Sequence, residues 1–156
     1  MQNPIDILNE LISINSQCTI SNKKIIEYIK SRLGQFEVKE FKFKKGNLDL
    51  YNLVVKIPGQ SSRSPIVFSG HTDTVPVSNE WTLDPFKPVL KENNLFGLGS
   101  SDMKAGLACM MAAALNVTNP KNDIYLLFDA DEEGDVTGGP NLIKEFTLKN
   151  ARVIEA

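Results

Sequence analysis

Cysteine, histidine and tryptophan are scarce in this sequence. Its 156 residues include two cysteines, one histidine and one tryptophan, and only 8% are aromatic. Cys18 and Cys109 lie far apart and lack the spacing of a zinc-binding motif, which argues against a disulfide framework or a cysteine zinc site. We expect both to be small buried apolar residues, and we expect the cytoplasm as the compartment.

Long apolar runs and an excess of charge of one sign are also missing. No run approaches the ~18 apolar residues of a membrane helix, and residues 1–6 lack the basic and apolar regions of a signal peptide. The 17 Lys+Arg nearly balance the 19 Asp+Glu, for a net charge of −2. We therefore expect neither a membrane nor a nucleic acid as partner. With 42% hydrophobic residues, the chain can still bury a core.

Helix-like and strand-like segments alternate along the chain. The apolar spacing predicts helices at 5–12, 22–33 and 102–115 and from Pro140, strands at 36–43, 51–57, 65–71 and 123–128 and from Arg152, and a small hairpin at 89–98. This order predicts an α/β fold with a mostly parallel mixed sheet flanked by helices. The two most apolar strands end at His71 and near Asp129, and ligands bind at the carboxyl ends of such strands.

Three polar segments stand at the ends of these predicted elements. They are His71-Thr72-Asp73, Ser101-Asp102-Met103-Lys104 and Asp131-Glu132-Glu133. Each alone has an ordinary explanation, since a histidine can be structural, Asp102 can cap a helix and an acidic run can be solvated. Together they offer imidazole nitrogen and carboxylate oxygen, the donors that suit zinc, manganese or cobalt.

These residue types can divide the work of a metal site. The carboxylate of Asp73 could orient the imidazole of His71 by accepting a hydrogen bond from its second ring nitrogen. The two oxygens of Asp102 could bridge two cations about 3.5–4 Å apart. Of Glu132 and Glu133, one could bind metal while the other accepts a proton from water.

The order and spacing of three motifs resemble one known family. Ser69-Gly70-His71-Thr72-Asp73-Thr74-Val75-Pro76, Gly97-Leu98-Gly99-Ser100-Ser101-Asp102-Met103-Lys104 and Asp131-Glu132-Glu133-Gly134 are similar to signatures of the co-catalytic zinc metallopeptidases. That family includes acetylornithine deacetylase, succinyl-diaminopimelate desuccinylase, aminoacylases and glutamate-type carboxypeptidases. The resemblance implies a zinc-exopeptidase-like fold, of which residues 1–156 are the N-terminal part of the catalytic domain.

The resemblance also implies a role for each candidate residue. His71, Asp102 and Glu133 would bind two divalent metal ions, with Asp102 bridging them through a carboxylate that precedes a cis peptide. Asp73 would orient His71, and Glu132 would be the general base. Zinc is the first expectation for the metal, with cobalt or manganese as alternatives.

The implied reaction is hydrolysis of an amide in a small N-acyl amino acid or peptide. Residues 81–86 and 95–99 are similar to acetylornithine deacetylase, so deacetylation of N-acetylornithine in arginine biosynthesis is the first expectation, although Trp81 and Phe86 could simply pack the long loop. The alternatives are desuccinylation, for which arginine is usual at the position of Leu98, dipeptide or carboxypeptide cleavage, and a non-catalytic binding domain on the same fold.

The resemblance finally predicts parts that these residues do not include. The family has a further carboxylate ligand, a late histidine ligand, and a lid domain through which the full-length protein would form a homodimer. A closed zinc site has about four ligands, more than His71, Asp102 and Glu133 supply for two ions. We therefore expect residues 1–156 alone to bind metal weakly and to show no turnover.

Overall fold

In the computed structural model, which describes residues 1–61 and 63–155, helices and strands follow one another along the chain. They are α1 (Pro4–Ile12), α2 (Lys23–Leu33), β1 (Glu37–Lys45), β2 (Leu48–Ile57), β3 (Ile66–His71), β4 (Val89–Lys91), β5 (Asn94–Phe96), α3 (Lys104–Asn116), β6 (Ile124–Asp129), α4 (Gly138–Glu145) and β7 (Arg152–Glu155). Each predicted element is present, with boundaries shifted by a few residues.

Five of the strands form one mixed sheet in the order β1-β2-β6-β3-β7. The pairs β1–β2 and β2–β6 are antiparallel, whereas β3–β6 and β3–β7 are parallel. The turn at Gly46, with φ 55°, reverses the chain within two residues, and such a tight hairpin requires antiparallel strands. The predicted α/β sheet flanked by helices is confirmed, with its parallel part limited to β6, β3 and β7.

The main core lies between one face of the sheet and helices α1, α2 and α3. The fully buried side chains of α1 and α2 recur at helical spacing, as in Ile25, Ile26 and Ile29. From β2, Leu53 and Val55 join this core. Because side chains alternate along a strand, Asn52 points to the opposite face, where its amide contacts the start of α4.

The end of α2 and the burial of the two cysteines both differ from the common pattern. Gly34 ends α2 with a right-handed φ of −63°, not in the left-handed conformation typical of a C′ glycine. Cys18 is half-buried and Cys109 is exposed, so the expectation that both are buried is wrong. Cys109 lies on the part of α3 that borders an apolar groove beside β3 and β6.

In residues 1–61 and 63–155, no helix is both long and apolar enough to span a membrane.

Candidate metal centre

The sheet brings two of the three polar segments to one edge. β3 and β6 are parallel neighbours, and their last residues, His71 and Asp129, are paired in register. The Thr72 amide donates to the Asp129 carbonyl at 2.8 Å, so the chain segments leaving both strands start side by side. The segment after β6 carries Glu132 and Glu133, and this is the carboxyl edge at which the sequence predicted a ligand site.

His71 is at the centre of the predicted donors. Its Nε2 lies 3.0 Å from Oδ1 of Asp102 and 3.8 Å from Oε2 of Glu132. Ligand atoms of His71, Glu132 and Glu133 all lie within 4.8 Å of one another. The imidazole is buried, Glu133 is half-buried and Glu132 is exposed. A single cation could therefore contact groups from two separate segments of the chain.

Asp102 touches this group from the beginning of α3. Its side chain is 76% exposed, and the peptide bond to Met103 is cis. The N-cap position of α3 is occupied by Met103, without a side-chain hydrogen bond to the helix. Capping is thus not the role of Asp102, whose carboxylate faces His71 instead.

Asp73 contacts both sides of the centre. Its main-chain carbonyl accepts the hydrogen bond from Nδ1 of His71 at 2.9 Å, whereas its carboxylate is 3.8 Å from that nitrogen. The carboxylate instead accepts the amides of Glu132 and Glu133 at 3.2 and 3.1 Å. The sequence predicted that the carboxylate would orient the ring. In the structure the carbonyl does so, which places a proton on Nδ1 and directs Nε2 toward the carboxylates of Asp102 and Glu132.

The electrostatics of this edge favour a bound cation. Burial lowers the pKa of His71, but the hydrogen bond to Asp102 and the charge of Asp73 outweigh it, so the net pKa is raised. Burial also raises the pKa of Glu133, and the nearby carboxylates of Asp102 and Glu132 add to that effect while His71 opposes it. Carboxylates gathered around a buried imidazole repel one another, and a divalent cation would remove that cost.

Asp131 lies in the predicted acidic cluster, and its carboxylate is bonded by Lys45 and Thr137. It has a φ of 64°, and its buried carboxylate pairs with Lys45 and accepts the Thr137 hydroxyl at 2.5 Å. Burial raises the pKa of Asp131, but the hydrogen bonds from Lys45 and Thr137 have the larger, opposite effect, so the net pKa is lowered. Lys45 therefore helps to hold the acidic loop. Since 86 residues separate the pair, no local pattern could have revealed it.

Lys104, the last residue of the second motif, is a buried structural cation. It is 1% exposed, and its Nζ donates to the Ile14 carbonyl at 2.8 Å. Burial lowers its pKa to about 8. This bond joins the beginning of α3, next to Asp102, to the segment that follows α1.

Comparison with known proteins agrees with the three motifs. Residues 67–155, more than half of the chain, match the model of peptidase family M20/M25/M40. The chain is 36% identical to a succinyl-diaminopimelate desuccinylase of Nautilia profundicola, over 97% of this chain and 40% of the relative. It is 33% identical to an acetylornithine deacetylase of Buchnera aphidicola, over 88% of this chain and 36% of that relative.

Solved structures agree on the fold. A metallo-carboxypeptidase of the M20 family from Sulfolobus solfataricus superposes with a TM-score of 0.74 at 22% identity, over 99% of this chain and 37% of that protein. The chain thus spans about 40% of the length of the curated relatives it matches. The family model, the two relatives and the grouping of His71 with Glu132 and Glu133 lead to one conclusion: the chain belongs to peptidase family M20/M25/M40.

Proposed function

We propose that this chain supplies one side of a two-metal centre that hydrolyses the amide bond of an N-acyl amino acid. The observation that carries the proposal is the convergence of His71, Glu132 and Glu133, whose ligand atoms lie within 4.8 Å of one another. The donor set of one imidazole and several carboxylates suits zinc, with cobalt or manganese as alternatives.

In this proposal His71 and Glu133 would bind metal, and Asp102 would be the ligand shared by the two ions. Support for Asp102 comes from its contact with Nε2 of His71 at 3.0 Å and from the exposure of its side chain. When bound, the cations supply Lewis-acid polarisation of the amide carbonyl. Asp73 positions His71 through its carbonyl and the two glutamates through its carboxylate.

Glu132 is the proposed general base. Its carboxylate is half-exposed and lies 3.8 Å from Nε2 of His71, so both water and substrate have access to it. It would take a proton from the attacking water and return that proton to the leaving amine.

Two substrates follow from different observations. N-acetylornithine is supported by the similarity of residues 81–86 and 95–99 to acetylornithine deacetylase and by Leu98, where desuccinylases usually have arginine. N-succinyl-diaminopimelate is supported by the 36% identity with a desuccinylase over nearly the whole chain. Trp81 lines a 280 Å³ surface cavity with Leu83 and Phe96. In this proposal it either packs the long loop or contacts the substrate.

Metal binding is the first test. Co²⁺ is titrated into residues 1–156 and followed by visible absorption, with His71→Ala and Glu133→Gln as variants and Glu27→Gln, an exposed carboxylate on α2, as control. We expect each site variant to lose at least about tenfold in affinity and the control to match the parent. Equal Co²⁺ affinity in all four proteins would contradict the metal centre.

Turnover is the second test. The whole protein is assayed for release of free amine from N-acetylornithine, N-succinyl-diaminopimelate and dipeptides. The substrate that is hydrolysed fastest assigns the acyl preference. Loss of turnover in Glu132→Gln with Co²⁺ binding retained would support its role as base. Residues 1–156 alone should show no turnover, because their donors are too few for two ions. If residues 1–156 hydrolyse a substrate and Glu132→Gln abolishes that hydrolysis, the expectation is contradicted.

The proposal also includes a homodimer formed through a lid domain and a cytoplasmic location.

A further inference from the structure

The loop that carries Glu132 and Glu133 begins and ends at the same place. It leaves β6 after Asp129 and enters α4 at Gly138. A Cβ at Gly138 would lie 1.8 Å from the Ala130 carbonyl oxygen, so the two ends of the loop are in direct contact. A residue that bonds both ends therefore fixes the position of the whole loop.

One buried side chain bonds both ends of this loop. Asn52, on β2, is fully buried. Its Oδ1 accepts the Ala130 amide at 3.1 Å, and its Nδ2 donates to the Gly138 carbonyl at 2.8 Å. Both polar atoms of the amide are thus used, and the side chain sits on a strand that is paired on both sides. Such a support is rigid, because a central strand cannot shift without breaking its ladders.

Two carboxylates hold the rest of the loop, one within the loop and one in the segment after β3. Inside the loop, the carboxylate of Asp131 accepts the Thr137 hydroxyl and amide. Across from it, Asp73 accepts the amides of Glu132 and Glu133. Two residues of the sheet hold the loop. Lys45 of β1 pairs with the side chains of Asp131 and Asp135, whereas Asn52 bonds the main chain at both ends of the loop.

We propose that Asn52 is a positioning residue of the metal centre, which closes the base of the 130–138 loop so that Glu132 and Glu133 face His71. The inference rests on the proposed function, because that proposal assigns metal binding to Glu133 and the role of general base to Glu132. Strand β6 separates Asn52 on β2 from His71 on β3, so Asn52 acts through the loop. Its loss would change the positions of the carboxylates and leave the set of metal donors unchanged.

Asn116, at the end of α3, provides a control for loss of a side-chain amide. It is half-buried, and it likewise makes one accepting and one donating bond to main chain, both with Gln2 at 2.9 Å. Neither bond involves the loop or the residues next to His71. Asn116→Ala and Asn52→Ala therefore remove the same pair of amide bonds from two places.

The experiment measures three quantities in both variants of the 156-residue chain. Amide hydrogen exchange at Glu132 and Glu133 is measured without metal, relative to amides of β3, and Co²⁺ affinity and the visible Co²⁺ spectrum are measured by titration. We expect Asn52→Ala to speed exchange at both amides by at least about tenfold, to weaken Co²⁺ binding by about 10–100-fold and to change the spectrum. Asn116→Ala should leave all three close to the parent values.

The outcomes separate this inference from the proposed function. If the two variants change loop exchange to the same extent, Asn52 contributes only fold stability and the inference is wrong. If the parent chain does not bind Co²⁺ but Asn52→Ala alone speeds loop exchange, the positioning holds and the metal centre fails. Should Asn52→Ala not fold, Asn52→Asp, which keeps the volume and the bond from the Ala130 amide, is judged by the same criteria.

Discussion

Replacing Asp73 with asparagine tests how the two sides of the centre are joined. The carboxylate of Asp73 has two oxygens, and these accept the amides of Glu132 and Glu133 at 3.2 and 3.1 Å. Asparagine keeps the shape and the main-chain carbonyl that holds His71. It offers only one acceptor oxygen, so one of the two glutamate amides would face an NH₂ group.

The expected loss follows from the type of bond removed. A hydrogen bond to a charged group contributes about 1.5–3 kcal/mol. Since Asp73 is only 2% exposed, water cannot easily replace the lost acceptor. If about 2 kcal/mol of loop positioning is lost, metal affinity should fall about 30-fold, because about 1.4 kcal/mol corresponds to a factor of ten.

The assay is a Co²⁺ titration at pH 7, with thermal unfolding measured on the same samples. Asp84→Asn is the control, because the Asp84 carboxylate also accepts a loop amide, that of Phe86 at 2.9 Å, but bonds neither glutamate. We expect the control to bind Co²⁺ like the parent. A folded Asp73→Asn variant that binds Co²⁺ within about twofold of the parent would refute this account of the loop.

Three further predictions concern stability and are measured by urea unfolding. Lys104 has a pKa lowered to about 8 by burial, so the folded chain binds that proton more weakly than the unfolded chain. The free energy of unfolding of the parent should therefore rise between pH 8 and pH 10 by up to about 3 kcal/mol relative to Lys104→Met, and parallel pH curves would contradict this. Gly138→Ala places a Cβ 1.8 Å from the Ala130 oxygen and should cost about 2 kcal/mol or more. In Gly139→Ala the nearest atom is 3.8 Å away, so equal losses in the two variants would refute the steric argument. Lys45→Met leaves the buried carboxylate of Asp131 without its cation and should cost about 3 kcal/mol at pH 7. The pKa of Asp131 is lowered in the parent, so that deficit should shrink as the pH falls below about 4 and the carboxylate becomes protonated. A pH-independent deficit would contradict the ion pair.

Local pattern was sufficient for most of the elements. The apolar runs that end at His71 and near Asp129 became the central strands β3 and β6, because nearly unbroken apolar stretches suit strands buried on both faces. Helix boundaries were less well predicted at α3, which begins at Lys104 and not at Asp102. Asp102 resembles a capping residue in sequence, but its carboxylate contacts His71, and only the tertiary structure could reveal that partner.

The sequence by itself determined the residue types, their order and the edge of the sheet where they meet. Periodicity depends on neighbouring residues, and the three motifs are contiguous, so both could be recognised without a structure. The tertiary structure alone decided which oxygen orients His71, that Asp131 turns inward to Lys45, and that Asn52 closes the loop. Lys45 and Asn52 reach the loop because β1 pairs with β2 and β2 pairs with β6, contacts between distant segments that no local pattern encodes.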